Sequence, residues 1–157
     1  MYSNELVCKI LDYLNQNINK EITSKELSSL FFFDKAHIMR LFKKELGITI
    51  HDYINTIRIY NSLKYFRDNN YIASIAYNNG FNSIEYFSET FKKILGVNPA
   101  IFKKYINRNL SITYNQEKLI VDNIVKIKGI KDSIEKYLNN KKPKISPIKT
   151  IIFKKEL

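Results

Sequence analysis

The chain of 157 residues is long enough for one ordinary domain or two very small ones, and its 45% hydrophobic content excludes wholesale disorder. Its net charge of +11 favours an anionic partner, either nucleic acid or an acidic membrane surface. The single cysteine excludes an internal disulfide, and no apolar run approaches the roughly twenty residues of a membrane-spanning helix. Because no cleavable leader is visible either, we expect a cytoplasmic protein without a membrane partner.

An internal repeat is the most informative feature of the sequence. Residues 42–48 (FKKELGI) recur 49 residues later as residues 91–97 (FKKILGV). Upstream of each copy the sequence predicts a short helix, a turn and a second helix, at residues 24–30 and 35–46 and again at residues 72–78 and 83–95. This order predicts two helix-turn-helix units in tandem.

Capping residues mark the ends of these helices. Hydroxyl, carboxylate or amide side chains that can satisfy the first backbone amides of a helix occur at Thr23, Asp34, Thr49, Asn82 and Asn98. Glycines that can end a helix in the left-handed conformation occur at Gly47, Gly80 and Gly96. Further amphipathic patterns predict helices at residues 4–17, 50–67 and 99–107.

The predicted fold is therefore mainly α, with seven helices in residues 1–107. The first subdomain covers about residues 4–50 and the second about residues 70–107, and a long linker helix at residues 50–67 joins them. The linker carries apolar residues on more than one face, which suits a helix that packs on both units.

Residues 108–157 have a different pattern. They hold 12 Lys+Arg against 5 Asp+Glu, so +7 of the total charge lies there. Alternating residues at 110–114 and 125–128, a turn at 115–116 leading to 118–121, and a helical pattern at 132–140 predict a small basic α+β extension. About fifty residues make a poor independent core, so we expect this segment to pack on the helical part or on a second subunit in a homodimer.

In a helix-turn-helix the second helix enters the major groove and presents its outer face to the bases. In residues 35–46 the outer face carries Lys35, Ala36, His37, Met39, Arg40 and Lys43. Arg40 is the best candidate for reading a base, since a guanidinium can bond guanine O6 and N7 together. Lys43 and Lys44 lie further along the helix and suit phosphate contacts.

A longer motif in the second unit is more specific than the repeat. It consists of residues 75–83 (IAYNNGFNS), followed by Tyr86-Phe87-Ser88, Phe91-Lys92-Lys93 and Gly96-Val97-Asn98-Pro99. On this motif, the stretch from about Leu11 to Lys104 resembles the AraC/XylS family of bacterial transcriptional regulators. The resemblance implies two recognition helices in successive major-groove segments on one face of double-stranded DNA.

The resemblance also assigns site residues. Arg40, Ala36 and Met39 match base-contacting positions, and Ile84, Glu85, Tyr86 and Glu89 are the corresponding outward positions of the second unit. Ser83, Lys92 and Lys93 join Lys35, Lys43 and Lys44 as candidates for phosphate contacts. Two departures concern the second unit: Glu89 stands where many members carry a basic residue, and Tyr71 stands where a small hydroxyl residue is usual.

Nothing in the sequence predicts catalysis, a cofactor or a metal site, because phosphate-binding loops, nucleophile motifs and ligand spacings are missing.

The expected partner is double-stranded DNA, with RNA polymerase as a further candidate. Since only a few residues precede the first helix, we expect any effector-sensing part to be the C-terminal segment or absent. The alternative function is a non-catalytic module that binds protein or an anionic surface and has a degenerate second DNA-reading unit.

Overall fold

The computed structural model describes residues 3–108 and 112–141. In these ranges it contains eight α-helices, one short 3-10 helix and no strand. The α-helices are α1 (Ser3–Gln16), α2 (Ser24–Phe31), α3 (Lys35–Leu46), α4 (Ile50–Ser62), α5 (Ile72–Asn78), α6 (Ile84–Leu95), α7 (Pro99–Ile106) and α8 (Tyr114–Lys141). The seven helices predicted for residues 1–107 are confirmed. The linker differs slightly, since its α-helical part ends at Ser62 and a 3-10 turn, Leu63–Tyr65, follows.

Two hydrophobic cores lie at opposite ends of α4. The first core takes Tyr53 and Ile57 from α4, together with side chains from α1, α2 and α3. The second core takes Ile59 from α4, and there the rings of Phe66, Phe91 and Phe102 lie with their centroids 5.0–5.4 Å apart. Because α4 serves both cores, its apolar residues cover more than one face, as the sequence predicted.

The side chains that begin the helices agree with the capping analysis at four of five positions. Thr23, Asp34, Thr49 and Asn98 each accept a hydrogen bond from a backbone amide in the first turn of the following helix. The fifth expectation, Asn82, is wrong, because Ser83 caps α6 and its hydroxyl accepts from the amide of Tyr86 at 3.1 Å. Tyr71 precedes α5 and makes no side-chain capping bond there.

The α+β extension predicted for residues 108–157 is wrong over residues 114–141, which form one continuous helix. A capping box begins α8: Gln116 N–H donates to the Thr113 hydroxyl at 3.2 Å, and Thr113 N–H donates to the Gln116 side chain at 3.1 Å. The residues taken for a hairpin turn thus begin a helix. The helix predicted at 132–140 is its last part, and the expectations for residues 109–111 and 142–157 lie outside the described residues.

Helix α8 packs across both cores. Ile120 and Ile127 lie in the second core and Ile134 in the first, at a seven-residue spacing that keeps all three on one side of the helix. Twenty-eight residues at 1.5 Å each give a length of about 42 Å, enough to span both units. Helix α8, called the strap below, therefore lies across both helix-turn-helix units.

Two tyrosine hydroxyls fix the ends of this strap. Tyr105 of α7 donates to Glu117 at 2.9 Å, and Tyr137 of α8 donates to Glu45 of α3 at 2.9 Å. Burial and the neighbouring Glu45 carboxylate both raise the pKa of Tyr137, so the hydroxyl stays a proton donor at neutral pH.

Candidate nucleic-acid interface

The outer face of α3 carries most of the residues predicted to meet DNA. Ile38 and Phe42 anchor the inner face in the first core and leave exposed the side chains of Lys35, Ala36, His37, Arg40, Lys43 and Lys44. Met39 is the exception among the candidates, because it is half-buried and packs against the first core. The candidate side chains of α3 other than Met39 are thus exposed, and Arg40 lies near the middle of the helix.

The turn between α2 and α3 carries three successive phenylalanines, Phe31, Phe32 and Phe33, which lie in different environments. Phe31 packs edge-on against Tyr13, and Phe33 stacks on His37 with ring centroids 5.3 Å apart. Phe32 instead has φ +59° and a side chain that is 91% exposed. A residue with a Cβ in the left-handed conformation costs roughly 1–2 kcal/mol, so this turn is strained. In the turn after α5 the residue with positive φ is Gly80, which has no Cβ and avoids that cost.

The outer face of α6 contains the second set of candidates. Ile84, Glu85, Glu89, Lys92 and Lys93 are exposed, while Phe87, Phe91 and Leu95 hold the inner face in the second core. Ser83 uses its hydroxyl oxygen to cap α6, and its O–H remains a donor that can reach a phosphate.

Tyr86 differs from the other candidates because its hydroxyl is directed at the linker helix. Asn55 Nδ2 donates to the Tyr86 hydroxyl at 2.9 Å, and His51 Nε2 lies 3.2 Å from the same oxygen. Asn55 is itself buried. The sequence offered no signal for this contact, since it depends on how α4 packs against α6. The arrangement ties the first turn of α6 to α4, while the side chain of Tyr86 stays partly exposed.

The two recognition helices differ in charge. Four cationic side chains and one carboxylate lie on α3, whereas α6 carries two lysines and two glutamates. Both helices place their lysine pairs, Lys43–Lys44 and Lys92–Lys93, in the last turn, where cations also complement the helix dipole. Of these two helices, α3 therefore carries the larger net positive charge.

A cleft of about 490 Å³ lies beside α6, where the two units and α8 meet. Glu89 and Lys93 of α6 line one wall, and Asn123 and Lys126 of α8 line another. Helix α8 thus places a further cation, Lys126, in the same cleft as Glu89.

A buried arginine of α4, Arg58, joins the two units. Arg58 Nε donates to the Ile18 carbonyl at 2.7 Å, and Nη2 donates to the Lys20 carbonyl at 2.6 Å, so the side chain holds the loop after α1. Its guanidinium carbon lies 5.9 Å from the ring centre of Phe81 in the second unit. Burial lowers the pKa of Arg58 from its ordinary value, which still leaves it charged at neutral pH.

Comparison with known families decides the relationship. The model of a helix-turn-helix domain family matches residues 27–105, half of the chain, and covers both units. The chain belongs to the AraC-type helix-turn-helix family. The resemblance stated from the motif at residues 75–99 is therefore confirmed.

Several AraC-type relatives are similar over most of this chain. The bifunctional transcriptional activator/DNA repair enzyme AdaA of Bacillus subtilis is 33% identical over 119 residues, which are 75% of this chain and 56% of AdaA. The transcriptional regulatory protein HptR of Staphylococcus aureus is 33% identical over 103 residues, 66% of this chain and 41% of HptR. The chain thus spans about half the length of these relatives.

Solved structures share the fold. A protein of unknown function from Listeria innocua has a TM-score of 0.59 at 26% identity, covering 62% of this chain and 93% of that one. The C-terminal domain of AraT, a response regulator from Geobacillus stearothermophilus, has a TM-score of 0.60 at 23% identity, covering 69% and 88%. The DNA-binding domain of AdpA, solved with a target DNA, has a TM-score of 0.59 at 16% identity, covering 65% and 93%.

A metal site and a membrane-spanning helix are both missing from the part of the chain that the structure describes. No group of three or more His, Cys, Asp or Glu side chains there is placed to hold a metal ion. None of the helices within residues 3–108 and 112–141 combines the length and the apolar character needed to cross a membrane.

Proposed function

We propose that this chain is a sequence-specific regulator of transcription that binds double-stranded DNA with α3 and α6 in successive segments of the major groove. The observation that carries the proposal is a pair of equivalent helices. Each is twelve residues long, each is the second helix of its unit, and α4 and α8 join the two units. Membership of the AraC-type family supports it, as do the printed functions of AdaA and HptR and the DNA bound to AdpA.

The residue roles divide by helix. Arg40 reads a base from α3, with Ala36, His37 and Met39 beside it, while Lys35, Lys43 and Lys44 contact phosphates. In the second unit Ser83, Lys92 and Lys93 contact phosphates, and the outward positions are Ile84, Glu85, Tyr86 and Glu89. The side chains of α6 carry no net charge, and the Tyr86 hydroxyl already accepts a hydrogen bond from Asn55. The second unit therefore positions the protein on DNA more than it reads bases. The family regulates transcription through DNA binding, so no catalytic step is assigned to these residues.

Selection of bound sequences from a random duplex pool by the full chain tests the proposal. We expect one enriched motif with two conserved blocks roughly one helical turn, about 34–36 Å, apart. Affinity for the enriched duplex should fall steeply with salt and exceed that for its scrambled version by at least about 10³. Absence of any enriched motif would reject sequence-specific reading and favour the protein- or surface-binding module.

The proposal extends to two protein partners. RNA polymerase is the expected partner of a bound regulator. Self-association through residues 108–157 has one supporting observation: the outer side of α8 exposes Tyr114, Val121 and Val125 at 76%, 48% and 64%. We expect a homodimer by light scattering and a monomer for the variant Val121→Glu/Val125→Glu. A wild-type chain that is monomeric at about 100 µM would contradict this extension.

A further inference from the structure

A second cleft, lined by none of the residues that line the cleft beside Glu89, has the composition of a small-molecule site. It lies between the end of α4, α7 and α8 and has a volume of about 620 Å³, within the range of ligand pockets. Its apolar surface comes from Leu63, Ile106 and Ile124, which are half-buried. The buried Phe102 also lines the cleft and packs in the second core.

Three cations and no carboxylate line this cleft among the residues that the structure describes. The cations are Lys64 and Arg67, from the chain after α4, and Lys131 from α8. The ammonium of Lys131 lies 5.0 Å from the ring centre of Tyr60, which also lines the cleft. Two neighbouring carboxylates lie outside this cleft: Asp68 lines an adjoining cleft together with Arg67, and Glu135 lines another together with Lys131.

We propose that this cleft binds a small organic anion, with an apolar ring-sized body on Leu63 and Ile124 and a carboxylate among Lys64, Arg67 and Lys131. An apolar body gains from leaving water, and a carboxylate is attracted by three cations that no lining carboxylate offsets. An inorganic anion would leave the apolar surface uncovered, and a neutral apolar ligand would leave the cations unused. The combination is therefore selective for a molecule with both parts.

The cleft lies between α8 and the end of the linker helix α4, so a ligand bound there would contact both helices. An anion on Lys131 would connect α8 to the end of α4, and so stabilise the arrangement of the two units seen in this structure. That consequence rests on the proposed DNA binding, whereas the binding of the anion does not.

Calorimetry with 2-naphthoate and the full chain tests the inference. We expect saturable 1:1 binding, at least about fivefold tighter than for the neutral 2-naphthamide and weaker at higher salt. Lys131→Gln should weaken 2-naphthoate binding by about two- to fivefold, the effect of one exposed charge pair, and leave 2-naphthamide binding unchanged. Lys128→Gln, an exposed lysine of the same helix outside the cleft, is the matched control and should have no effect.

Three results would overturn the inference: no saturation up to about 5 mM, equal affinities for 2-naphthoate and 2-naphthamide, or equal effects of the two lysine variants. A measurement of duplex affinity with and without 2-naphthoate separates the two proposals. A chain that binds 2-naphthoate as expected but enriches no DNA motif would retain this site and lose the proposed function.

Discussion

The guanidinium of Arg58 occupies the space that a side chain at Gly80 would need. A Cβ at Gly80 would lie 2.7 Å from Arg58 Nε and 3.0 Å from the Ile18 carbonyl oxygen, and Gly80 also has φ +90°. Gly80 follows α5 in the second unit, while Ile18 follows α1 in the first. Close packing at one glycine therefore lets a single arginine join the two units.

Gly80→Ala should destabilise the protein more than Gly47→Ala does. Both glycines have positive φ, but a Cβ at Gly47 meets no atom within 4 Å. We expect Gly47→Ala to cost about 1–2 kcal/mol in the free energy of unfolding, from the left-handed conformation alone. Gly80→Ala should cost about 1–3 kcal/mol more, because the methyl group displaces Arg58. Urea unfolding of both variants measures the difference, and equal losses would show that Arg58 is not held there.

Gly129→Ala should stabilise the protein by about 0.5–1 kcal/mol. Gly129 lies inside α8, and a Cβ there meets open space, so alanine gains helix propensity without a clash. Urea unfolding measures the free energy, with the neighbouring Lys128→Ala as a control that should change it by less than about 0.5 kcal/mol. A loss of stability at Gly129→Ala would contradict a continuous helix over residues 114–141.

The sequence predicted features that depend on local chemistry and missed those that depend on packing. Helix α3 has the predicted bounds because its capping residues, Asp34 and Gly47, and its apolar spacing are local features. Helix α5 also has the predicted bounds, although no side chain caps its first turn. Helix α8 was missed because short alternating stretches were interpreted singly, although Thr113 with Gln116 forms a capping box and Ile120, Ile127 and Ile134 repeat every seven residues.

The candidate site shows the same division. The outer face of α3 follows from the spacing of its two buried residues, Ile38 and Phe42. The hydroxyl of Tyr86 could not be placed, because its partners Asn55 and His51 lie more than thirty residues away on α4. Nor does a phenylalanine at position 32 signal a left-handed turn, since bulky residues rarely adopt that conformation.

Arg40→Ala should cost about 1–3 kcal/mol on the selected duplex and relax the preference at one or two base pairs. Arg40 is exposed on α3 and can bond two atoms of a guanine. Titration of selected and scrambled duplexes measures both effects. Lys9→Ala, an exposed cation on α1, is the matched control and should weaken both duplexes little and equally. If Arg40→Ala weakens both duplexes by the same factor, Arg40 contacts only phosphate.

Glu89→Arg should tighten binding to most duplexes. A carboxylate on the outer face of α6 repels phosphate, and an arginine there adds one phosphate contact. One contact changes the salt slope by about one unit, so the gain should be about threefold larger at 50 mM than at 200 mM salt. Glu135→Arg makes the same charge change on α8 and controls for net charge. Weaker binding to the selected duplex alone would indicate that Glu89 accepts from a cytosine amino group.

Changing the spacing between the two conserved blocks of the selected duplex tests most directly whether two joined reading helices engage one face of DNA. Five inserted base pairs move the second block by about half a helical turn and place it on the opposite face. Since α4, α8 and Arg58 connect the two units, we expect the affinity to fall close to that of a duplex with one block scrambled. An affinity unchanged by the insertion would contradict simultaneous binding by α3 and α6.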